Sequence, residues 1–201
     1  VDQGERAQVV CSALAERQPE NAFVRQVLST LSPAPAAAPP VVQVTCPKLA
    51  VQTLGGFRVF RDGIEIPPRA WVSTKARDLL AYFITCRGEV ISLDVALEAV
   101  WSGDGDRAAS AFHTALYRLR SALQTKDDRP KYVTVEAGQY ALDESRFDID
   151  VDRFDARIAA AAQATPMEAE ALLQQAVSLY KGPYLDSFWY AWVSPEQERL
   201  R

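Results

Sequence analysis

The spacing of apolar residues changes period along this chain, and each change marks a structural element. Between Glu5 and Leu31, Val9, Leu14, Phe23, Val27 and Leu28 fall at helical intervals, interrupted by Gln18-Pro19-Glu20-Asn21. That pattern predicts a helical hairpin over residues 1–31. A proline- and alanine-rich tract from Ser32 to Pro40 follows; it cannot hold a helix and has little to bury, so residues 32–47 are expected to form a linker. From Lys48 the period becomes two. LAVQTL, FRVF and IEI read as strands, with a break at Gly55-Gly56, a turn at Asp62-Gly63 and a stop at Pro67-Pro68. Helical spacing then returns. Ser73 is placed to cap a helix to Thr85 with Leu79, Leu80, Phe83 and Ile84 inward, a brief strand EVI follows, and Ser92 is placed to cap a second helix, LDVALEAVW. A third helix over residues 107–124 precedes KYVTVEAGQYAL, a hairpin turning at Ala137-Gly138. After Phe147 the chain reads as helical again, with a break at Thr165-Pro166, a stop at Gly182-Pro183, the aromatic bridge YLDSFWYAW and a new helix near Ser194.

These elements predict an α+β chain: an N-terminal antiparallel sheet, three helices and a C-terminal hairpin over residues 48–145, flanked by helical-repeat segments. The upstream segment is 1–31, and the downstream segment, 146–201, has too few helices to bury its own faces.

Charge changes the picture at one place. The chain carries 22 basic and 26 acidic residues, for a formal charge of -4, which taken as a whole does not suggest a polyanion as partner. The acidity lies outside the middle, however: residues 48–145 hold 13 basic and 13 acidic groups. From Arg107 to Lys126 there is no Asp or Glu at all. At 3.6 residues per turn, Leu116, Leu119 and Leu123 lie within about 40° of Phe112, with Ala108 and Ala115 at the border, which gives the third helix a buried stripe. Its other side presents Arg107, Ser110, Thr114, Tyr117, Arg118 and Ser121, flanked by His113 and Arg120. Small hydroxyls let a helix approach closely, and arginine forks onto guanine edges or phosphates. A carboxylate on that face would be repelled by phosphate. A basic amphipathic helix is by itself more often a solvated surface; a short helix before it and a hairpin after it match the arrangement in which winged-helix proteins lay such a helix in the DNA major groove.

Several function classes are set aside. With one histidine, His113, no histidine cluster or nucleophile–histidine pair can form, and we expect neither catalysis, nor a metal, nor a cofactor. Gly55-Gly56 lacks the lysine of a phosphate loop. Asp148, Asp150 and Asp152 are expected to act as charges at a helix start rather than as a calcium site. Trp71, Trp101, Trp189 and Trp192 are assigned to packing. Cys11, Cys46 and Cys86 are widely spaced and without a CxxC, which suits reduced thiols. No apolar run approaches the roughly 20 residues of a membrane helix, and no secretory signal opens the chain. A cytoplasmic protein without a membrane partner is expected. The start, VDQGER, reads as the interior of something longer.

The combined motifs carry a resemblance. Trp71 to Tyr82 (WVSTKARDLLAY), Ala99 to Trp101 (AVW), Phe112 to Leu123 (FHTALYRLRSAL) and the hairpin ending GQYAL resemble the OmpR-type winged helix of SARP-family transcriptional regulators. DVDRFDARIAAA through LYKGPYLDSFWYAW is similar to the start of that family's bacterial transcriptional activation domain, at 146–201, with a TPR-like helical pattern. ENAFVRQVLSTL and the tract after it resemble the end of the repeat region in larger MalT-like regulators. The resemblance implies binding of double-stranded DNA at direct repeats, recruitment of RNA polymerase as an activator, and a side-by-side homodimer. It implies base reading by Ser110, His113, Thr114, Tyr117 and Arg118. Arg107, Arg120, Lys75, Arg77, Lys131 and Gln139 are candidates for phosphate or wing contacts, Lys75 and Arg77 otherwise reading as solvated helix cations, and the loop Ser102 to Asp106 corresponds to the family's transactivation loop or, equally, to a flexible connector. The sequence departs from the family at the wing, where Glu136 to Gln139 supplies Gln139 as its donor in place of arginine. The rival reading is a regulatory scaffold whose winged helix binds a protein instead of DNA.

Overall fold

A computed structural model describes residues 48–101, 105–125 and 131–201. The expected hairpin over residues 1–31, the linker over 32–47 and most of the 102–106 loop lie outside the described residues.

Three short strands open the fold: β1 (Leu49–Gln52), β2 (Arg58–Arg61) and β3 (Ile64–Glu65). The alternation that predicted them is visible in burial, since Leu49 and Val51 face the core while Ala50 and Gln52 are half-covered. β1 pairs antiparallel with β2 through Val51 opposite Val59. β2 turns into β3 at Asp62-Gly63, where both residues take positive φ (51° and 77°), the geometry that matches strand twist in a two-residue hairpin. The expected purely antiparallel sheet needs one correction. Phe147–Ile149 forms a further strand, β7, that lies parallel to β1 with Val51 opposite Ile149, giving the order β3-β2-β1-β7. Three residues directly before a helix are too few to show a period of two.

A single 3-10 turn, Pro68–Trp71, leads into α1 (Thr74–Thr85). Its inward residues Leu79, Leu80, Phe83 and Ile84 have no exposed surface; full burial of each such side chain contributes about 1.5–3 kcal/mol. Ser73 has the extended backbone of a cap but makes no capping bond with its side chain. Its carbonyl instead accepts the Ala76 N–H at 3.2 Å. Ser92 behaves as expected, accepting the Val95 N–H at 3.4 Å. It ends β4 (Ile91–Ser92), and α2 (Leu93–Trp101) follows.

α3 (Gly105–Leu123) is the longest described helix, and β5 (Val133–Glu136) with β6 (Gln139–Leu142) makes the hairpin. The turn residues Ala137 and Gly138 again have positive φ. β4 pairs with β6, Ile91 opposite Tyr140, so a second sheet runs in the order β4-β6-β5.

The downstream segment begins with α4 (Asp150–Ala161) and α5 (Pro166–Leu179), which pack against each other. At the start of α5 the Glu168 carboxylate accepts from the Thr165 N–H (3.1 Å) and hydroxyl (2.6 Å), satisfying a donor that the helix leaves open. The chain then returns across the first sheet. Leu54 bridges to Tyr184, the Leu185 N–H reaches the Thr53 carbonyl at 2.8 Å, and the Gly55 N–H reaches Pro183 at 3.0 Å. A last turn, Ala191–Val193, and α6 (Ser194–Arg199) close the fold. Residues on both sides of position 145 therefore share one core, and Thr45–Arg201 form one compact unit.

Asp150 stands in the first turn of α4, as expected of a charge at a helix start, but its carboxylate is buried, at 4% exposure, and bonded to residues just after β1. One oxygen accepts from the Thr53 N–H (2.7 Å) and hydroxyl (2.6 Å), the other from the Leu54 N–H (3.0 Å). Asp148 and Asp152 stay at the surface and pair with Arg153 and Arg87. The tryptophans divide as well. Trp71 is buried, Trp101 and Trp192 are half-buried against the core, and Trp189, expected to pack, is 94% exposed.

Candidate nucleic-acid interface

The face of α3 is built from its anchoring side. Phe112 is fully buried, its ring meeting Tyr140 of the hairpin at 4.8 Å and Trp101 of α2 at 6.0 Å, both edge-on. Edge-to-face pairs at such distances add roughly 0.5–1.5 kcal/mol beyond burial. Leu119 and Leu123 continue the same inaccessible stripe. At the far end, an Arg61 N–H donates to the Ala122 carbonyl at 2.8 Å, a cation placed where the helix carbonyls are unsatisfied. The sheet, α2 and the hairpin thus fix the rotation of α3 about its own axis.

With that rotation fixed, Arg107, Ser110, His113, Thr114, Tyr117 and Ser121 are exposed, and Arg118 is half-exposed. Tyr117 has 73% of its surface free. The Thr114 hydroxyl donates to the Ser110 carbonyl one turn back at 2.9 Å, which leaves its oxygen able to accept. His113 stands edge-on to Phe112 at 5.5 Å. Arg107, Arg118, Ser110 and Thr114 line one groove with Ser73 and Trp101. No described carboxylate pairs with Arg107 or Arg118.

The secondary candidates divide. Arg120 donates to the Val133 carbonyl at 3.0 Å, tying α3 to the hairpin with one arm of its guanidinium. Lys131 and Gln139 are exposed, Gln139 opposite Glu136 at the turn, so the tip offers one amide donor beside one carboxylate. Lys75 and Arg77 have partners inside the fold. The Lys75 ammonium donates to the Val100 carbonyl and to the Tyr190 hydroxyl (3.1 Å), and lies 5.4 Å over the Tyr190 ring and 5.8 Å over Trp101. Arg77 donates to Ser187 at 3.3 Å and stacks over Phe188 at 4.9 Å. Both turn toward an aromatic segment more than a hundred residues downstream, which the local sequence around α1 gives no sign of. Lys75→Met is accordingly expected to lower stability by about 1 kcal/mol in urea unfolding, the scale of a partly buried cation over a ring, and to leave affinity for a DNA duplex within about twofold.

The sequence also missed Arg61 as a brace for α3 and the aromatic clamp on α1. There the Tyr190 hydroxyl donates to Asp78 at 2.6 Å, and the Trp192 N–H donates to the Ala99 carbonyl at 3.1 Å while its ring packs on Tyr82 at 5.3 Å. The signal was the density of aromatics in YLDSFWYAW; its partner could not be read. Burial pushes the Tyr82 and Tyr190 phenols well above their usual range, and Asp78 adds to the effect at Tyr190. Among the described residues no group of three or more His, Cys, Asp or Glu is placed to hold a metal ion, and no helix is long and apolar enough to cross a membrane.

Comparison with known proteins finds a match for part of the chain. Residues 69–140 match the family described as "Transcriptional regulatory protein, C terminal". Among solved structures the chain is similar to Mycobacterium tuberculosis EmbR in complex with a low-affinity phosphopeptide. The TM-score is 0.65 and the identity 24%, over 77% of this chain and 42% of that one. The chain thus spans less than half the length of that protein. No curated protein matches the chain in sequence. The family match over residues 69–140 and the shared fold agree with the winged-helix resemblance.

Proposed function

We propose, from the match of residues 69–140 to the C-terminal domain of transcriptional regulatory proteins, that this chain binds promoter DNA sequence-specifically by laying α3 in the major groove. The observation that carries this reading is the outward face of α3. It has two arginines without carboxylate partners among the described residues, small hydroxyls and an exposed tyrosine, all held in fixed rotation by the buried Phe112 stripe. Ser110, His113, Thr114, Tyr117 and Arg118 reach base edges, with Arg118 the residue suited to a bidentate contact with guanine. Arg107, the free arm of Arg120, Lys131 and Gln139 reach phosphates or the flanking groove, where they set register rather than sequence. Lys75 borders the groove beside this face, but it and Arg77 are engaged by partners inside the fold.

The rest of the proposal is coarser. A cytoplasmic activator, acting as a side-by-side dimer on direct repeats and contacting RNA polymerase through the 102–106 loop, follows from the resemblance. The helices of 146–201 would then serve regulation or dimerisation.

Fluorescence anisotropy on duplexes selected from random DNA tests the central claim. Arg118→Ala is expected to weaken the selected site by about 1–3 kcal/mol and to relax preference at one base pair. Affinity is expected to fall steeply as salt rises, by about 0.9 log units per log unit of salt for each phosphate contacted. Unchanged affinity would remove Arg118 from readout, and a salt-independent affinity would transfer the face to a protein partner.

A further inference from the structure

A cavity of about 450 Å³ opens beside the start of α1, lined by no residue of α3 and meeting the groove of the α3 face only at Ser73. Its floor is apolar: Val59, Ile66 and Trp71 are each at most 6% exposed, and Phe57 is 8% exposed. Its charged lining is cationic. Arg58 is neutralised by Glu65, but Arg69 is exposed and makes no ion pair or hydrogen bond with a described residue, and the Arg77 Nε is buried without an acceptor. Glu65 is the one carboxylate in the lining. The Ser73 hydroxyl is not used as a cap. At the edge sits Val72, 74% exposed with φ at 57°. A β-branched side chain rarely adopts that backbone conformation, and strain of this kind, on the order of 1–3 kcal/mol, concentrates at binding sites. An exposed apolar residue is therefore held in a costly conformation at the mouth of an apolar, positively charged cavity.

We propose that this cavity receives an acidic peptide segment of a partner protein. One apolar side chain of the peptide seats on Trp71 and Ile66, and a neighbouring carboxylate accepts from Arg69 and from the Arg77 Nε. Charge complementarity selects the sign, because a carboxylate accepts from N–H donors of two guanidinium groups. The floor selects the class of partner. A phosphodiester backbone has no side chain to fill an apolar cavity, whereas a buried aromatic beside arginine is the composition of protein–protein interface centres. The site does not depend on how α3 is used.

Selection of a displayed library of random peptides about twelve residues long on the full 201-residue chain tests this, followed by anisotropy of a labelled synthetic copy of the winner. The expected winners pair Asp or Glu with Phe, Leu or Trp. Arg69→Glu is expected to weaken that peptide by about tenfold or more and to be partly rescued by a copy with lysine in place of its acids. Arg118→Ala should leave peptide affinity unchanged. Because Arg69 is exposed and bonded to nothing described, R69E should keep the wild-type circular dichroism spectrum and melting temperature, so a loss of binding reports the site and not unfolding. Winners without acidic residues, equal affinity in R69E, or displacement of the peptide by duplex DNA would each overturn the proposal.

Discussion

Asp150→Ala is expected to remove about 3–5 kcal/mol of unfolding free energy, a large share of the roughly 5–15 kcal/mol that holds a domain together. The carboxylate sits at 4% exposure and accepts the Thr53 N–H, the Thr53 hydroxyl and the Leu54 N–H. Truncation leaves two backbone donors facing a dry interior, each costing about 1–3 kcal/mol, and removes bonds that a charged acceptor makes stronger than neutral ones. Relief of the carboxylate's own desolvation offsets part of this. Thr53 can also redirect its hydroxyl, whereas the two N–H groups cannot move. Asp150→Asn keeps one acceptor oxygen in place and is expected to lose about half as much. Urea unfolding of the two variants side by side measures both values, and an alanine variant within about 1 kcal/mol of the wild type would refute the account.

The second large effect is expected at Gly55. Its φ is +87°, and a Cβ built there would lie 2.7 Å from the Lys181 carbonyl carbon, a backbone atom that cannot swing aside. Gly182 approaches from the other side, so that its own Cβ would lie 3.1 Å from the Gly55 Cα. Two glycines let the returning chain lie directly on the first sheet, close enough for the Gly55 N–H to reach Pro183. Gly55→Ala therefore incurs both the left-handed backbone cost of about 1–2 kcal/mol and the separation of two packed segments; a total loss of about 3 kcal/mol or more is expected. Gly63 supplies the control. It has a similar φ of +77° with nothing within 4 Å of a built Cβ, so Gly63→Ala should lose only about 1–2 kcal/mol. Equal losses at the two positions, read from thermal melts, would mean that the contact with Lys181 carries no weight.

What the sequence made legible was local and periodic. The inward faces of α1 and α3, the two tight turns and the outward set on α3 all follow from spacing within one element. The structure places Leu79, Leu80, Phe83, Ile84, Phe112, Leu119 and Leu123 where that spacing put them. Long-range partners left no such trace. Lys75 and Arg77 look like solvated helix cations until Tyr190, Ser187 and Phe188 arrive from the far end of the chain. Asp150 follows the pattern of a helix-start charge, and only the parallel pairing of β7 with β1 brings it against Thr53. Trp189 shows the converse: a residue type that usually packs stands in solvent while its neighbours Tyr190 and Trp192 cover α1. Of the candidate DNA contacts, the exposure of those on α3 and the hairpin could be read from their own element. Those on α1 depended on what another part of the chain would lay over them.

The pairing of β7 with β1 has a practical consequence for anyone cutting or grafting this protein. A splice just after the wing, where the winged-helix sequence motif ends, would strip a strand from the first sheet, expose Tyr184's seat and uncover the cations of α1. A transplantable winged-helix unit from this chain has to extend through the turn at Ala191–Val193, so the minimal exchangeable cassette is longer than the motif by which it is recognised.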